Sequence, residues 1–171
     1  WDVDYEWLKG RFDDTEYADG KPMYSNGITV SRWVDGVLEE DENISQRTAL
    51  KAMFYWGHAV NSQTRGVEMQ KAMQKLEMMV IVDPYPTVAS VMHDRTDGVY
   101  LLPAATQFET TGSVTATNRS IQWRDQVIEP LFESKPDHEI MYLFARKLGF
   151  GNELVKNYEM NGDEPLIEDI L

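Results

Sequence analysis

Three short apolar runs constrain the fold of this chain more than any other feature of its sequence. They span residues 50–56, 78–82 and 99–102. Each run is ended by polar residues, glycine or proline, and helix-like sequence lies between them, as in parallel strands joined by crossover helices. Near-continuous apolar strands are typical of a sheet that is covered on both faces. The sequence therefore predicts an α/β fold with parallel strands.

The loops that follow these three runs are the first candidate for a site. They span residues 57–63, 83–87 and 103–106. In a parallel sheet all three loops leave from the same edge, and open α/β sheets bind ligands outside the carboxyl ends of their strands. We therefore expect a ligand at this edge.

The spacing of apolar residues predicts four helices around the sheet. A first helix precedes the first strand, and a second is capped by Ser62 or Thr64. A short helix covers residues 87–93, and Asp137 caps a longer helix that ends at Gly149. The predicted buried faces consist of Val30, Trp33, Val34, Val37 and Leu38 in the first helix, Met69, Ala72, Met73 and Leu76 in the second, and Ile140, Met141, Phe144, Ala145 and Leu148 in the last.

Residues 106–123 interrupt the alternation of helix and strand. They are rich in threonine and other β-branched residues around Gly112, which predicts extended or hairpin structure. From residue 150 onwards the chain is an acidic segment with two short apolar groups.

Charge and cysteine content exclude several functions. The net charge is −13, from 29 acidic and 16 basic residues, and such a chain repels nucleic-acid backbones and anionic lipids. It contains no cysteine, which excludes disulfides, thiolate-bound clusters and a cysteine nucleophile within this segment. No apolar run approaches the roughly 18 residues of a membrane span. The chain begins at Trp1 and ends on an apolar, acidic run, so we expect a piece of a longer protein.

The three histidines form no catalytic constellation. His58 follows Gly57 and faces the predicted ligand edge, but the nearby sequence offers it no partner as a general base. His93 and His138 are predicted to lie on the surface. No two histidines have the spacing of metal ligands, and no nucleophile elbow is present.

The case for a nucleotide rests on position, because neither of the standard phosphate-binding loops is present. Gly57 allows close backbone approach after the first strand. Asp83 ends the second strand, where its carboxylate can accept hydrogen bonds from ribose hydroxyls or from guanine. Donors beside a helix start favour phosphate oxygens, and the candidates are Asn61, Ser62, Gln63 and Thr64. These residues predict a dinucleotide-like ligand; the alternative is an α/β domain in which Asp83 only caps a loop.

Four strings of sequence carry a resemblance to a known family. They span residues 54–66, 80–87, 100–124 and 130–138. Together they resemble the catalytic α subunit of molybdenum- or tungsten-dependent formate dehydrogenases, in the molybdopterin oxidoreductase (dimethyl sulfoxide reductase) superfamily. The resemblance covers about residues 27–150. It implies a Rossmann-like three-layer domain with a β-rich excursion, within a larger multidomain fold.

The resemblance also implies a cofactor, bis-molybdopterin guanine dinucleotide (bis-MGD) with Mo or W, and residues that hold its guanosine end. Asp83 and Pro84 match the position that reads guanine or ribose, Asp137 matches an aspartate that also contacts guanine, and Ala104 closes the nucleotide pocket. The full implied set is Gly57, His58, Ala59, Asn61, Gln63, Asp83, Pro84, Thr87, Ala104 and Asp137. The structural residues implied for the excursion towards the iron–sulfur region are Glu109, Gly112, Asn118 and Arg119.

The same resemblance implies three segments. Residues 1–47 form an aromatic, acidic segment with one helix, 48–149 form the MGD-binding domain with its excursion at 107–135, and 150–171 form an acidic tail that leads to a further domain. The metal ligand, the catalytic residues and the iron–sulfur clusters of the parent subunit then lie outside this segment, which alone is expected to be inactive.

We expect the parent protein to oxidise formate to carbon dioxide or to catalyse the reverse reaction. Its expected partners are the remainder of the catalytic subunit and an iron–sulfur or diaphorase electron-transfer subunit, with no nucleic acid and no direct membrane insertion. A cytoplasmic location is expected, with the periplasm as the alternative. The alternatives for function are another molybdopterin oxidoreductase, such as a nitrate reductase, and a binding or assembly module without catalysis.

Overall fold

A computed structural model of the chain describes residues 30–39, 48–156, 159–162 and 164–165. The chain divides into two compact units, residues 1–49 and 50–171. The predicted aromatic segment before residue 30 and the last six residues of the acidic tail lie outside the described residues. The three predicted segments therefore stay a prediction.

The first unit contains the first predicted helix. A 3₁₀ turn at Val30–Arg32 runs directly into helix α1, Trp33–Leu38. Trp33, Val34 and Val37 are buried, as the apolar stripe predicts, whereas Val30 is exposed. The buried carboxylate of Asp35 pairs with Arg32 at 2.9 Å, so this charge does not lack a partner.

The second unit is built on a parallel sheet of three strands in the order β1–β2–β3. The strands are β1, Ala52–Trp56, β2, Met78–Asp83, and β3, Val99–Pro103. Trp56 lies opposite Val82, and Asp83 lies opposite Pro103. The predicted α/β fold with parallel strands is confirmed. Each strand begins and ends within two residues of the corresponding end of its apolar run.

The central strand carries the core of the second unit. All four residues from Met79 to Val82 are buried, so β2 is covered on both faces, as a near-continuous apolar strand requires. Val80 and Val82 pack with Ala104 and Ile140 in one buried cluster. The prediction that an apolar strand is covered on both faces is wrong for β1, because Ala52 and Phe54 are exposed and only Tyr55 is fully buried. Apolar character alone does not distinguish an outer strand from the central one.

Three further helices follow strands β1, β2 and β3. They are α2, Gly66–Lys75, α3, Val88–Val91, and α4, Asp137–Leu148. The predicted face of α2 is buried at all four positions. In α4, Ile140 and Ala145 are buried, but Met141 and Leu148 are exposed. Gly149 ends α4 in the left-handed conformation, with φ at 89°, so the predicted glycine cap is confirmed.

Both predicted N-terminal caps are wrong. Helix α2 begins after Arg65, which has a φ of 69°, and no side chain caps it. The Ser62 hydroxyl instead donates to the Ala59 carbonyl at 2.7 Å, inside a 3₁₀ turn at Val60–Ser62. Asp137 is the first residue of α4 rather than its cap, and its carboxylate accepts a hydrogen bond from Trp56 of β1 instead of capping the helix.

The segment between β3 and α4 forms the predicted hairpin. Strands β4, Gly112–Thr115, and β5, Ile121–Arg124, pair antiparallel. After α4 come a short helix α5, Gly151–Leu154, and a two-residue pairing of β6, Met160–Asn161, with β7, Glu164–Pro165. The sequence did not predict these last three elements. None of the helices in the described ranges is long and apolar enough to cross a membrane.

One arginine satisfies several backbone carbonyls at the amino edge of the sheet. The Arg95 guanidinium donates to four backbone carbonyls, those of Met73, Leu76, Glu77 and Asp97. It thereby satisfies carbonyls that the end of α2 leaves without helical partners. Nearby His93 is only 8% exposed, which makes its predicted surface position wrong. Burial lowers the pKa of His93.

Candidate functional site

The carboxyl edge of the sheet brings the three predicted loops together. The Gly57 N–H donates to the Val82 carbonyl at 2.9 Å, and the Ala104 N–H donates to the Asp83 carbonyl at 3.2 Å. These bonds extend the strand pairing by one residue on each side of β2. The loops after β1, β2 and β3 therefore start side by side.

The first loop combines an open backbone position with a paired histidine. Gly57 has a φ of +55°, and a Cβ added there would meet no atom within 4 Å. The backbone conformation favours glycine, and the open space beside it allows a ligand to come close. His58 Nε2 lies 2.7 Å from Gln63 Nε2, a partner that the sequence reasoning missed although it is five residues away. Ala59 and Asn61 are exposed on the same loop.

The second loop contains a buried hydroxyl with an unmet hydrogen bond. Thr87 Oγ1 is buried and has no hydrogen-bond partner among the residues that the structure describes. An unsatisfied buried polar group costs about 1–3 kcal/mol, so a ligand that bonds it would recover that free energy. The half-buried Asp83 lines a small cavity of about 120 Å³ together with Pro84.

A larger cleft of about 680 Å³ opens between the second and third loops and the segment that returns from the hairpin. Its volume falls in the range of roughly 300–1,000 Å³ that is usual for small-molecule sites. Pro84 and Ala104 are the predicted site residues that line it. Tyr85 and Phe132 also line the cleft, and both aromatic rings are exposed.

Asp137 joins the edge through a contact across the sheet. Its Oδ1 accepts a hydrogen bond of 2.7 Å from the indole Nε1 of Trp56, the last residue of β1. Two residues earlier, Lys135 forms a bridge with Ala104, and the Ala105 N–H donates to the Lys135 carbonyl at 2.8 Å. The start of α4 is thus fixed to the ends of both outer strands. His138, the next residue, is half-buried.

Glu109 is buried beside the cleft and uses both of its carboxylate oxygens. Oε2 accepts from the Thr106 N–H at 2.7 Å, and Oε1 accepts from the Leu131 N–H at 2.8 Å. The hydrogen bonds from Thr106, followed by that from Leu131, lower the pKa of Glu109. The carboxylate is therefore ionised at neutral pH, which strengthens both bonds.

This edge offers several groups that can form hydrogen bonds to a ligand. Asp83 and Asp137 offer acceptor oxygens, Thr87 offers a hydroxyl, and Gly57 offers open backbone. Within the described ranges, no group of three or more histidines and acids is placed to hold a metal ion. The carboxylate oxygens among the predicted residues can accept hydrogen bonds from the donors of a ligand.

Comparison with known families assigns the chain to a class of enzymes. The family model described as molybdopterin oxidoreductase matches residues 24–147. The chain belongs to the molybdopterin oxidoreductase family, as its four strings of sequence indicate. The family implies a molybdopterin cofactor with its metal.

The relatives are much longer than this chain. Two Staphylococcus aureus proteins, from strains USA300 and NCTC 8325, are provisionally named as formate dehydrogenases and are each 39% identical over 82 residues. The match covers 48% of this chain and only 8% of each relative. Among solved structures, acetylene hydratase from Pelobacter acetylenicus is similar with a TM-score of 0.55 at 18% identity, over 70% of this chain and 15% of that one. That similarity supports the fold.

Proposed function

We propose that this chain is part of the catalytic subunit of a formate dehydrogenase and binds the guanosine end of a molybdopterin guanine dinucleotide. One observation carries the proposal: the loops that contain Gly57, Asp83 and Ala104 start side by side at one edge of the sheet, Asp137 is bonded there to Trp56, and Ala104 lines a cleft of suitable size. The names of the Staphylococcus aureus relatives support formate as the substrate.

In this proposal the residues of the chain bind and orient the dinucleotide. Asp83 accepts hydrogen bonds from the guanine or the ribose, and Asp137 accepts a second bond while Trp56 fixes its orientation. The Thr87 hydroxyl forms a hydrogen bond with the ligand, and Gly57 lets the backbone approach the phosphates. The chemistry supplied by the bound cofactor is two-electron transfer between formate and carbon dioxide at Mo or W.

The proposal assigns the remaining functions to other parts of the protein. The rest of the catalytic subunit would hold iron–sulfur clusters, which would supply electron transfer towards an iron–sulfur or diaphorase subunit. The acidic charge of −13 supports an assembly without nucleic acid. A cytoplasmic location, with the periplasm as the alternative, suits such an enzyme.

Replacing Asp83 by alanine in the complete subunit tests the binding site. Loss of a hydrogen bond to a charged group costs about 1.5–3 kcal/mol, so we expect dinucleotide retention to weaken about 10- to 150-fold. The measurement is the guanine and metal content of the purified protein during dialysis.

Asp97→Ala is the matched control for that experiment. Asp97 is an exposed aspartate at the opposite edge of the sheet, and its variant should retain the dinucleotide like the wild type. Unchanged content in Asp83→Ala, or equal losses in both variants, would contradict the proposed site.

A further inference from the structure

The segment that returns from the hairpin is attached to the third loop by a series of hydrogen bonds. The N–H groups of Val127 and Ile128 both donate to the Phe108 carbonyl, at 2.9 and 3.1 Å. Further along, the Lys135 N–H donates to the Pro103 carbonyl at 3.2 Å. These bonds bring two stretches of chain, on either side of the hairpin, into register.

The two stretches form facing walls of the large cleft. One wall is the third loop with the residues that follow it as far as Glu109, and the other is the return segment, which includes Leu131 and Phe132. Between the bonds of Phe108 and the Ala104–Lys135 bridge, the walls separate and the cleft opens. The width of the cleft therefore depends on what connects the walls across that gap.

Glu109 is the side chain that makes this connection. Its carboxylate accepts one N–H from each wall, from Thr106 at 2.7 Å and from Leu131, 22 residues away, at 2.8 Å. Glu109 is only 4% exposed, and a buried carboxylate is stable only when its oxygens are hydrogen-bonded. A neutral amide of the same size cannot make both bonds, because its NH₂ group would face one of the two N–H donors.

We propose that Glu109 is a positioning residue of the cofactor cleft, holding its two walls at the separation that admits the guanosine end of the dinucleotide. This inference rests on the proposed function. Glu109 acts through Thr106 and Leu131, and it need not touch the ligand itself.

The test uses the complete subunit with its cofactor and compares three variants. Glu109→Gln keeps the size of the side chain but breaks one of its two bonds. Glu129→Gln removes an exposed carboxylate near the return segment. Met73→Ala removes a fully buried side chain of α2, which lowers stability away from the cleft. The readouts are the rate of dinucleotide release, the unfolding midpoint and amide hydrogen exchange at Thr106 and Leu131.

Glu109→Gln should release the dinucleotide about tenfold faster or more, as expected for the loss of a charge-assisted hydrogen bond, and exchange at Leu131 or Thr106 should speed up with it. Glu129→Gln should match the wild type in all three readouts. Met73→Ala should lower the unfolding midpoint without faster release, which separates positioning from general stability.

Three results would overturn the inference. The first is wild-type release from Glu109→Gln, and the second is equally fast release from Met73→Ala. The third needs no variant: exchange of the Thr106 and Leu131 amides in the wild type as fast as in an unstructured peptide. A wild-type cofactor without guanine would instead overturn the proposed function, and this inference with it, whatever the exchange at Leu131 shows.

Discussion

The two edges of the same parallel sheet differ in how their polar groups are partnered. At the amino edge, Arg95 donates to four carbonyls, and Gly98 packs so closely that an added Cβ would overlap the Glu77 carbonyl. At the carboxyl edge, a buried hydroxyl lacks a partner among the described residues. A cleft opens at each edge, of about 680 Å³ at the carboxyl edge and about 540 Å³ at the amino edge.

The contrast shows where this sequence favours stability and where it does not. Arg95 satisfies the carbonyls at the amino edge, and these contacts stabilise the fold by themselves, although the buried His93 Nε2 nearby has no hydrogen-bond partner among the described residues. The carboxyl edge keeps Thr87 unsatisfied and Phe132 in the left-handed region, with φ at 57°. Such local costs gather where a protein binds something, and this is also the edge at which α/β folds place their ligands.

The largest expected effect comes from removing Arg95 at the amino edge. Arg95→Ala leaves the carbonyls at the end of α2 without their charged donor, and we expect the free energy of unfolding to fall by about 3 kcal/mol. Urea unfolding of the chain, followed by tryptophan fluorescence, measures it. Lys71→Ala, an exposed position on α2, is the control and should change stability by less than about 0.5 kcal/mol. A loss that small for Arg95→Ala would remove the contrast between the edges.

The sequence predicted the strands and the shared edge because these depend on local pattern. Apolar runs and their ends are readable along the chain, and parallel pairing then places the three loops together. The stop at Gly149 was predictable for the same reason, since a glycine after a helical stripe is a local signal.

The contacts that shape the site were not predictable in this way. Trp56 and Asp137 are 81 residues apart, and Glu109 and Leu131 are 22 apart, so no local period links them. The predicted cap of α2 was wrong because the Ser62 hydroxyl has a nearer partner in its own 3₁₀ turn. The predicted surface position of His93 was wrong because burial is decided by packing between elements, which a polar neighbourhood in sequence does not reveal.

A smaller effect, of opposite sign, is expected from Thr87 at the carboxyl edge. Thr87→Val replaces the unpartnered hydroxyl by a methyl group of similar size, and we expect the chain to gain about 1 kcal/mol in free energy of unfolding. In the complete subunit the same variant should retain the dinucleotide less well. Urea unfolding and guanine content measure the two effects.

Thr96→Val, at an exposed position near the amino edge, is the control for the Thr87 variant and should change neither quantity. A Thr87→Val chain that is less stable than the wild type would show that the hydroxyl has a partner, and the carboxyl edge would then be as well satisfied as the amino edge.

The smallest expected effect separates backbone strain from ligand contact at Phe132. The left-handed conformation costs a bulky residue about 1–2 kcal/mol, and glycine recovers part of it, offset by about 0.5–1 kcal/mol of chain entropy. The Phe132 ring is fully exposed, so Phe132→Gly loses no packing within the described residues. We expect the free energy of unfolding to rise by at most about 1 kcal/mol.

Arg119→Gly shares the positive φ, at 64°, in the hairpin turn outside the cleft, and it should change stability similarly. If the cleft binds the dinucleotide, only Phe132→Gly should also speed its release; equal release rates from both variants would leave the Phe132 ring without a binding role.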